Sequence, residues 1–476
     1  MQPEWILLFP YIFLAGGGTV VFSIGAFFPG RAPDVLFSLA LFASIAAGIS
    51  AVFLPSSTVP LHGLLAVDGF SRFYTALFAA ISAITLLFSR QYAQKRNFAG
   101  DEFAGIVLFA SLGMILIAAS VNWLIFFLGL ELLSISLYIL IAMRRDNVLV
   151  VEAAVKYFIP GAVASAFLVF GIALIYAAAG TLSLPQSFHV AGHGDRMYIL
   201  LLGLGFVLVG IGFKVSLVPF HLWTPDVYQG APAPVTAFLA TGSKVALFSL
   251  LVRLALYSPD NISTFFFPFL WLSATLTMLV GNITALEQTS VKRMLAYSSI
   301  AQMGYLLMAL LAVQDGGAAA VIFYSAVYAF SDLGAFGSLG LLSPVDNDLD
   351  LLDDFRGLGY RHPGKSFLFT LSLFSLAGLP ATAGFIGKFV LFEAALAGNL
   401  VVLALIGIGT AIVAFYYYLK VVVTLYMRPE DEQTPVSHNS DKAAVSACLL
   451  VALVIFWFGF LPSSLFNLIS AILAAF

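Results

Sequence analysis

Charged side chains are scarce in this sequence. Asp, Glu, Lys and Arg make up 9% of its 476 residues, whereas hydrophobic residues make up 61%. Soluble domains carry roughly 25% charged residues. A water-facing surface cannot be built from so few charges, so we expect lipid to cover most of the protein. The sequence also has no basic tract for nucleic acid and no acidic tail, and its net charge is only -3.

Cysteine is nearly absent as well. Cys448 is the single cysteine and lies in an apolar run. A disulfide framework needs pairs of cysteines, and a protein-bound Fe–S cluster needs about four thiolates. The glycine-rich stretch LGLGFVLVGIG lacks the GxGxxG spacing of a dinucleotide-binding loop. We therefore expect this chain to bind no cofactor and no metal.

Long apolar runs fill the chain instead. A helix needs ~20 apolar residues to cross the hydrocarbon core, whereas the strands of a membrane barrel are alternating segments of ~10 residues. The runs predict a single all-α transmembrane domain over 1–476 with about 14 membrane-spanning segments, followed by residues 461–476 along the membrane surface. The approximate segments are 4–28, 35–54, 70–89, 103–120, 123–143, 155–179, 198–221, 235–256, 265–285, 296–313, 318–342, 366–395, 400–427 and 443–461.

Lysine and arginine are unevenly distributed between the predicted loops. The odd-numbered loops hold 13 of them, whereas the even-numbered loops and helix ends hold three, namely Arg72, Arg196 and Arg253. By the positive-inside rule, the odd-numbered loops face the cytoplasm and both termini face the opposite side. One odd-numbered loop, DNDLDLLDD, departs from the spacing of a calcium-binding loop and is predicted to be solvated.

The five remaining basic residues all lie within predicted membrane segments. They are Lys156, Lys214, Lys244, Lys388 and Lys420. A charge at the bilayer centre costs ~2.5–3.5 kcal/mol, so such residues usually line a polar pathway or pair with one another. That interpretation is favoured for Lys214, Lys244 and Lys388, which lie deepest. For Lys156 and Lys420, snorkelling to the membrane surface is an equally good explanation.

Two segments contain proline close to one of these lysines. Segment 7 reads GFKVSLVPFHLWTP, with Pro219 after Lys214, and segment 12 reads SLAGLPATAGFIGKF, with Pro380 before Lys388. Proline removes a helix hydrogen bond, and irregular backbone at membrane depth is tolerated inside protein or beside a water-filled cavity. The sequence therefore predicts discontinuous helices at segments 7 and 12. In many transporters, broken helices at corresponding positions of the two halves of the protein form the binding site. A purely structural kink is the alternative.

Glu131 is the one acidic residue of segment 5. An unpaired carboxylate at that depth would take up a proton, whereas a lysine partner would keep it charged. We therefore predict a pair with Lys214, with a neutral, hydrogen-bonded glutamic acid as the alternative. His221 is predicted either to pass protons near neutral pH or to form a structural hydrogen bond. Lys156 is expected to pair with Glu152 at i,i+4.

Several longer motifs resemble a known family. The motifs that carry the similarity are EAAVKYFIPGA, PFHLWTPDVYQGAPAPVTAFLATGSK, VKRMLAYSSIAQMGYLL, DDFRGLGYRHP and SLAGLPATAGFIGKF. They look like the proton-translocating antiporter-like subunits of respiratory complex I and of multisubunit cation/proton antiporters. The similarity has specific motifs over roughly residues 100 to 427. Within that family the chain resembles the subunit N group of NADH-quinone oxidoreductase, because it lacks the long lateral helix of subunit L and has Lys388 where subunit M has glutamate.

The resemblance implies a fold and a setting. Two inverted five-helix repeats would span about residues 103–256 and 265–427, in a protein of the cell inner membrane. The implied function is proton translocation driven by NADH oxidation and quinone reduction in partner subunits, which would bind the FMN, Fe–S clusters and quinone. Its partners would be the other membrane-arm subunits, including further antiporter-like ones. The alternative is a subunit of a multisubunit monovalent cation/proton antiporter, which would not copurify with Fe–S proteins.

The resemblance also assigns roles to individual residues. Glu131 and Lys214 match the ion pair of the family, Lys244 matches its central lysine and Lys388 matches its exit-side lysine. From their own positions in segments 7 and 6, and not from the resemblance, His221 and Lys156 are predicted to be secondary members of the pathway. One position departs from the pattern, because Gln302 stands where many relatives have histidine. Glutamine orders water but does not titrate, so a proton station at Gln302 is not expected.

Overall fold

Long apolar helices build this molecule. The computed structural model describes residues 4–28, 33–55, 57, 59–96, 100–190, 194–344, 348–427 and 442–475. Its first ten α-helices are α1 (Phe9–Phe27), α2 (Pro33–Phe53), α3 (Gly69–Lys95), α4 (Gly100–Ala119), α5 (Trp123–Ile141), α6 (Val148–Ala179), α7 (Leu184–Ser187), α8 (Gly194–Lys214), α9 (Trp223–Gly230) and α10 (Ala233–Phe238). The others are α11 (Lys244–Tyr257), α12 (Asp260–Leu286), α13 (Val291–Leu310), α14 (Ala318–Leu342), α15 (Leu358–Arg361), α16 (Pro363–Ala377), α17 (Ala383–Ala397), α18 (Val401–Met427), α19 (Lys442–Phe460) and α20 (Ser463–Ala474).

Twelve helical stretches in the described ranges are long and apolar enough to cross a membrane. A chain with so many apolar helices is a multi-pass, all-helical membrane protein. Most helices begin and end within a few residues of the predicted segments. Helix α6 is the clearest difference, because it starts at Val148 rather than near residue 155. Its earlier start is stabilised by the side chain of Asn147, whose oxygen accepts a hydrogen bond from the backbone N–H of Leu149 at 2.9 Å.

Two helical stretches form the centre of the bundle. In Ala233–Tyr257, 100% of an apolar stretch of 18 residues is buried inside the protein, and in Val313–Leu342 the buried share is 94%. The corresponding share in α6 is 33%. The first stretch joins α10 to α11 through a π-helical turn, Leu239–Ser243. The second begins with a kinked turn, Val313–Gly317, in which Gly316 has a φ of +87°. Side chains on these two stretches are therefore surrounded by protein rather than by lipid.

The last helix packs back onto the bundle. Phe466 of α20 stacks on Phe323 of α14 with ring centroids 4.4 Å apart, and Ile472 lies against Gly69. Leu465 and Ile469 on the same helix are also buried. Helix α20 thus has one face on the protein and one face exposed. Its predicted position along the membrane surface stays a prediction.

Asp348 joins several helices at one end of the bundle. Its carboxylate accepts hydrogen bonds from Lys292 Nζ at 2.9 Å, from Tyr92 Oη at 2.9 Å and from the Ala233 backbone N–H at 3.0 Å, and it also pairs with Arg96. Only 9% of its side chain is exposed. The prediction of a solvated loop is therefore wrong at Asp348, because the basic residues and the start of α10 enclose it.

The surroundings of Asp348 keep its carboxyl group charged. Burial raises the pKa of Asp348, but the charges of Lys292 and Arg96 outweigh burial and hold the pKa well below its ordinary value. Lys292 also donates to the carbonyl of Ala231 at 2.7 Å. The arrangement is a buried ionic joint between α3, α10, α13 and the loop after α14.

Arg253 forms a second buried ion pair. Its guanidinium donates to Asp68 Oδ2 at 2.9 Å and to Oδ1 at 3.2 Å, and its side chain is 0% exposed. The sequence had placed Arg253 among loops and helix ends. The structure agrees with a position near a helix end, because Arg253 lies four residues before the last residue of α11. The bidentate hydrogen bond to Asp68 compensates for burial of the guanidinium.

Candidate functional site

The predicted break after Lys214 is present in the structure. Helix α8 ends at Lys214, and α9 begins only at Trp223. The backbone groups released between them find partners on α12, because Val218 N–H donates to Thr277 Oγ1 at 3.0 Å and Ser273 Oγ donates to the Val218 carbonyl at 3.1 Å. Satisfied backbone groups make an interrupted helix stable at membrane depth.

Lys214 is buried against α5 at this break. Its Nζ donates to Ser134 Oγ at 2.7 Å and to Tyr138 Oη at 3.0 Å, and it lies 5.3 Å from the centroid of the Tyr138 ring. The ring of Tyr157 is 5.8 Å away. Hydroxyl oxygens and aromatic faces therefore replace the water that a lysine ammonium would otherwise bind.

Glu131 lies on the same helix as Ser134, three residues earlier, and is half-buried. Its carboxylate accepts a hydrogen bond from Ser165 Oγ at 2.5 Å. In the part of the chain that the structure describes, no direct ion pair joins Glu131 to Lys214. Ser134, which accepts the hydrogen bond from Lys214, lies one helical turn from the glutamate. The predicted contact between them is thus absent from this conformation, although both belong to one polar region.

Lys244 is the first residue after the π-helical turn Leu239–Ser243. It is 1% exposed, and its Nζ donates to Ser299 Oγ of α13 at 2.7 Å. The ring centroid of Tyr228 is 5.3 Å from the same nitrogen. π-Helical turns are rare and occur frequently at functional sites. Here the turn places the lysine at the buried centre of the bundle.

The second predicted break separates α16 from α17. Helix α16 ends at Ala377, followed by Gly378 at φ +85°, a conformation that favours glycine. Lys388 of α17 is 4% exposed and donates from Nζ to the Ala377 carbonyl at 3.1 Å. A cation at the C-terminal end of a helix is favoured by the unsatisfied carbonyls there. The backbones also pass very closely, since a Cβ at Gly384 would overlap the Ser375 carbonyl oxygen.

Gln302 links three helices near this break. It accepts a hydrogen bond from Tyr324 Oη at 2.6 Å and donates from Nε2 to the Leu376 carbonyl at 3.3 Å. Its amide therefore bridges α13, α14 and the last turn of α16. These bonds give Gln302 a defined structural role without any change of charge.

His221 and Lys156, the two residues predicted to be secondary members of the pathway, lie in different environments. His221 falls in the irregular stretch before α9, and its buried Nδ1 has no hydrogen-bond partner among the described residues. Lys156 is 43% exposed and pairs at 2.7 Å with both Glu152 and Asp226. The i,i+4 pair with Glu152 is thus present. Both Lys156 and Glu152 line a polar cavity of 430 Å³ that reaches Lys292 and Asp348.

One acidic side chain, Asp332, is also buried in the described part of the bundle. Asp332 lies in the middle of α14 and is 1% exposed. Its Oδ2 accepts a hydrogen bond from Tyr328 Oη at 3.3 Å. A search of segment 318–342 for acids, parallel to the search for lysines, would have found it. No cluster of three His, Cys, Asp or Glu residues suited to a metal ion occurs within the described ranges.

Comparison with known proteins identifies the family. The profile described as NADH:quinone oxidoreductase/Mrp antiporter, TM, matches residues 120–414. NADH-quinone oxidoreductase subunit N of Geotalea uraniireducens is 45% identical over 472 residues, covering 98% of both chains. A chain of respiratory complex I from Thermus thermophilus with bound aureothin is 35% identical, with a TM-score of 0.82 and coverage of 96% of this chain and 98% of that one.

A second solved structure shares the fold alone. A chain of the Mrp complex from Dietzia sp. has a TM-score of 0.85 over 99% of this chain and 97% of its own, at 20% identity. The higher identities, over nearly full length, are to subunit N and to the complex I chain. This chain therefore belongs to the subunit N family of NADH-quinone oxidoreductase, among the antiporter-like membrane subunits of respiratory complex I.

Proposed function

We propose that this chain translocates protons as a membrane-arm subunit of NADH-quinone oxidoreductase, driven by NADH oxidation and quinone reduction in partner subunits. The main support for this proposal is the burial of three lysines, each of which lies beside a helix break or a π-helical turn. They are Lys214, Lys244 and Lys388. Each Nζ donates to a neutral oxygen rather than to a carboxylate. A buried lysine that is not locked to a carboxylate can release its proton more readily.

The proposal also includes a finer architecture and a proton pathway. In this proposal α13 and the interrupted pair α16 and α17 complete 14 membrane crossings with the 12 long apolar stretches. Residues 103–256 and 265–427 would be the two inverted repeats, because each contains one interrupted helix beside a lysine. The proton pathway comprises Glu131, Lys214, Lys244 and Lys388, with His221 and Lys156 as secondary members. FMN, Fe–S clusters and quinone would be bound by partner subunits, among them further antiporter-like subunits.

Lys388→Ala tests this function. We expect the complex to assemble and oxidise NADH, while proton pumping per electron falls by at least ~2-fold, because one positioned proton-transfer group supplies ~10²-fold or more. The measurement is proton uptake into vesicles that contain the purified complex, with NADH oxidation recorded in parallel. Lys420→Ala is the matched control, since Lys420 is half-buried on α18 and outside the proposed path. Wild-type pumping by an assembled Lys388→Ala complex would refute the exit role.

The orientation in the inner membrane is part of the proposal. The end of the bundle that holds Arg96, Lys292 and Arg293 would face the cytoplasm, and both termini would face the other side. Reporter proteins fused after Arg96 or after Lys365 are expected to report the cytoplasmic side, and a fusion near Asp260 the opposite side. The reverse pattern of reporter activity would contradict this topology.

A further inference from the structure

A continuous chain of side-chain hydrogen bonds connects Lys244 to Asp332. Lys244 Nζ donates to Ser299 Oγ at 2.7 Å, Ser299 Oγ lies 2.6 Å from Tyr328 Oη, and Tyr328 Oη lies 3.3 Å from Asp332 Oδ2. All four side chains are at most 1% exposed. Each hydroxyl offers one proton and accepts another, so all three bonds can point from the lysine to the carboxylate at once.

We propose that Asp332 is a proton acceptor for Lys244, reached through Ser299 and Tyr328. This inference rests on the proposed function and adds to it a residue to which neither the sequence motifs nor the family comparison assigns a role. An N–H bond of the Lys244 ammonium breaks and its proton joins Ser299 Oγ. The Ser299 proton passes to Tyr328 Oη, and the Tyr328 proton passes to Asp332. The products are a neutral amine and a carboxylic acid, so the net charge of the group is unchanged.

The separation of the two charges favours a relay over a structural ion pair. Among the described residues, Asp332 forms no direct ion pair, and two hydroxyl groups stand between it and Lys244. Burial penalises both charges, and their attraction across this distance compensates for only part of that cost. The charged pair and the neutral pair are therefore closer in free energy than they would be in a direct salt bridge, as reversible transfer requires.

Tyr328 can interrupt the relay. Its hydroxyl also lies 3.0 Å from the Ala240 carbonyl, inside the π-helical turn that precedes Lys244. One hydroxyl proton cannot be donated to Ala240 and to Asp332 together. Donation to Asp332 completes the chain from the lysine, and donation to Ala240 breaks it. The hydroxyl of Tyr328 thus acts as a gate that opens by rotation about one bond.

Tyr228 marks a polar position beside the relay. Its hydroxyl is buried and has no hydrogen-bond partner within the described part of the chain, while its ring is 5.3 Å from Lys244 Nζ. Buried hydroxyls are normally hydrogen-bonded to protein or to ordered water. The Tyr228 side chain thus adds an aromatic face and a hydroxyl beside the start of the relay.

The test compares Asp332→Asn with Tyr328→Phe in the complete complex, reconstituted in vesicles. Both variants are expected to assemble and to lower proton pumping per electron by at least ~2-fold, whereas Asp332→Glu retains part of it. The matched control is Asp315→Asn, which makes the same exchange at an exposed residue just before α14. In infrared difference spectra between oxidised and reduced enzyme, the wild type should show a carboxylic acid band that Asp332→Asn lacks.

The outcomes separate this relay from the proposed function. Lys244→Ala is measured alongside, because it tests proton transport by the chain without reference to Asp332. If Lys244→Ala loses pumping while assembled Asp332→Asn pumps as the wild type does, the relay is wrong and the proposed function stands. If Lys244→Ala also pumps normally, both are wrong. Should Asp332→Asn fail to assemble, wild-type pumping by Tyr328→Phe would overturn the relay, since that variant loses only a hydroxyl.

Discussion

Asp348→Ala is expected to be the most destabilising single substitution in the loops of this protein. It removes the carboxylate from a joint in which Lys292 and Arg96 each have 3% of the side chain exposed. Removing one partner of a buried ion pair costs ~3–5 kcal/mol, because the remaining charge is left without compensation. We therefore expect a clearly lower thermal midpoint and less assembled complex, measured by the fraction that stays soluble and intact after heating in detergent.

A change of pH between about 6 and about 8 should have little effect on the stability that this buried ionic joint contributes. The pKa of Asp348 is held below its ordinary value, so the stability that it contributes is present above the unfolded-state value of ~3.9 and is lost as pH falls through the folded-state pKa. The deficit of Asp348→Ala should therefore be similar at about pH 6 and about pH 8. A deficit that disappears across that interval would show that the carboxylate is not an ionised partner of the two cations.

Asp353→Ala provides the matched control for the same loop region. Asp353 is 65% exposed and pairs with Arg356 on the surface at 2.8 Å. Exposed ion pairs contribute ~0–1 kcal/mol. Asp353→Ala should therefore leave the thermal midpoint close to that of the wild type. Equal losses in the two variants would mean that the loop, rather than the buried joint, determines stability.

The membrane helices could be predicted from the sequence because one physical requirement dominates them. A chain in lipid must satisfy its backbone hydrogen bonds within each crossing, so long apolar runs become helices. The breaks at segments 7 and 12 were also predictable, because Pro219 and Pro380 cannot continue the helical hydrogen bonding. The start of α6 differs from the predicted one, because Glu152 interrupts the apolar sequence after Val151, whereas the Asn147 cap already begins the helix at Val148.

Long-range partners could not be predicted in the same way. Asp348 lies in a loop that reads as solvated, and its burial depends on basic residues 252 and 56 positions away in the sequence. The relay from Lys244 likewise draws Ser299 from α13 and Asp332 from α14, which no spacing within one helix reveals. The π-helical turn Leu239–Ser243 contains no proline, so the sequence gives no comparable signal for it. These contacts between distant residues depend on tertiary packing, so they could not be predicted from the sequence alone.

Glu131→Gln should lower proton pumping although the side chain keeps nearly the same shape. Burial disfavours the positive charge on Lys214, whereas a nearby carboxylate favours it, so the two effects oppose each other. In this conformation the lysine donates to Ser134 and Tyr138 while Glu131 accepts from Ser165. When Glu131 moves towards Lys214 the lysine should hold its proton, and when it moves away the lysine should release the proton towards Lys244.

Glutamine removes the negative charge at nearly constant volume and so removes the switch while leaving packing intact. The assembled variant should oxidise NADH but pump at least ~2-fold fewer protons per electron, and Glu131→Asp should retain part of the activity because it keeps the charge. Glu102→Gln, the same exchange at an exposed position of α4, is the control. Wild-type pumping by assembled Glu131→Gln would assign Glu131 a structural role, as a neutral acid hydrogen-bonded to Ser165, and would move the first proton step to Lys214 alone.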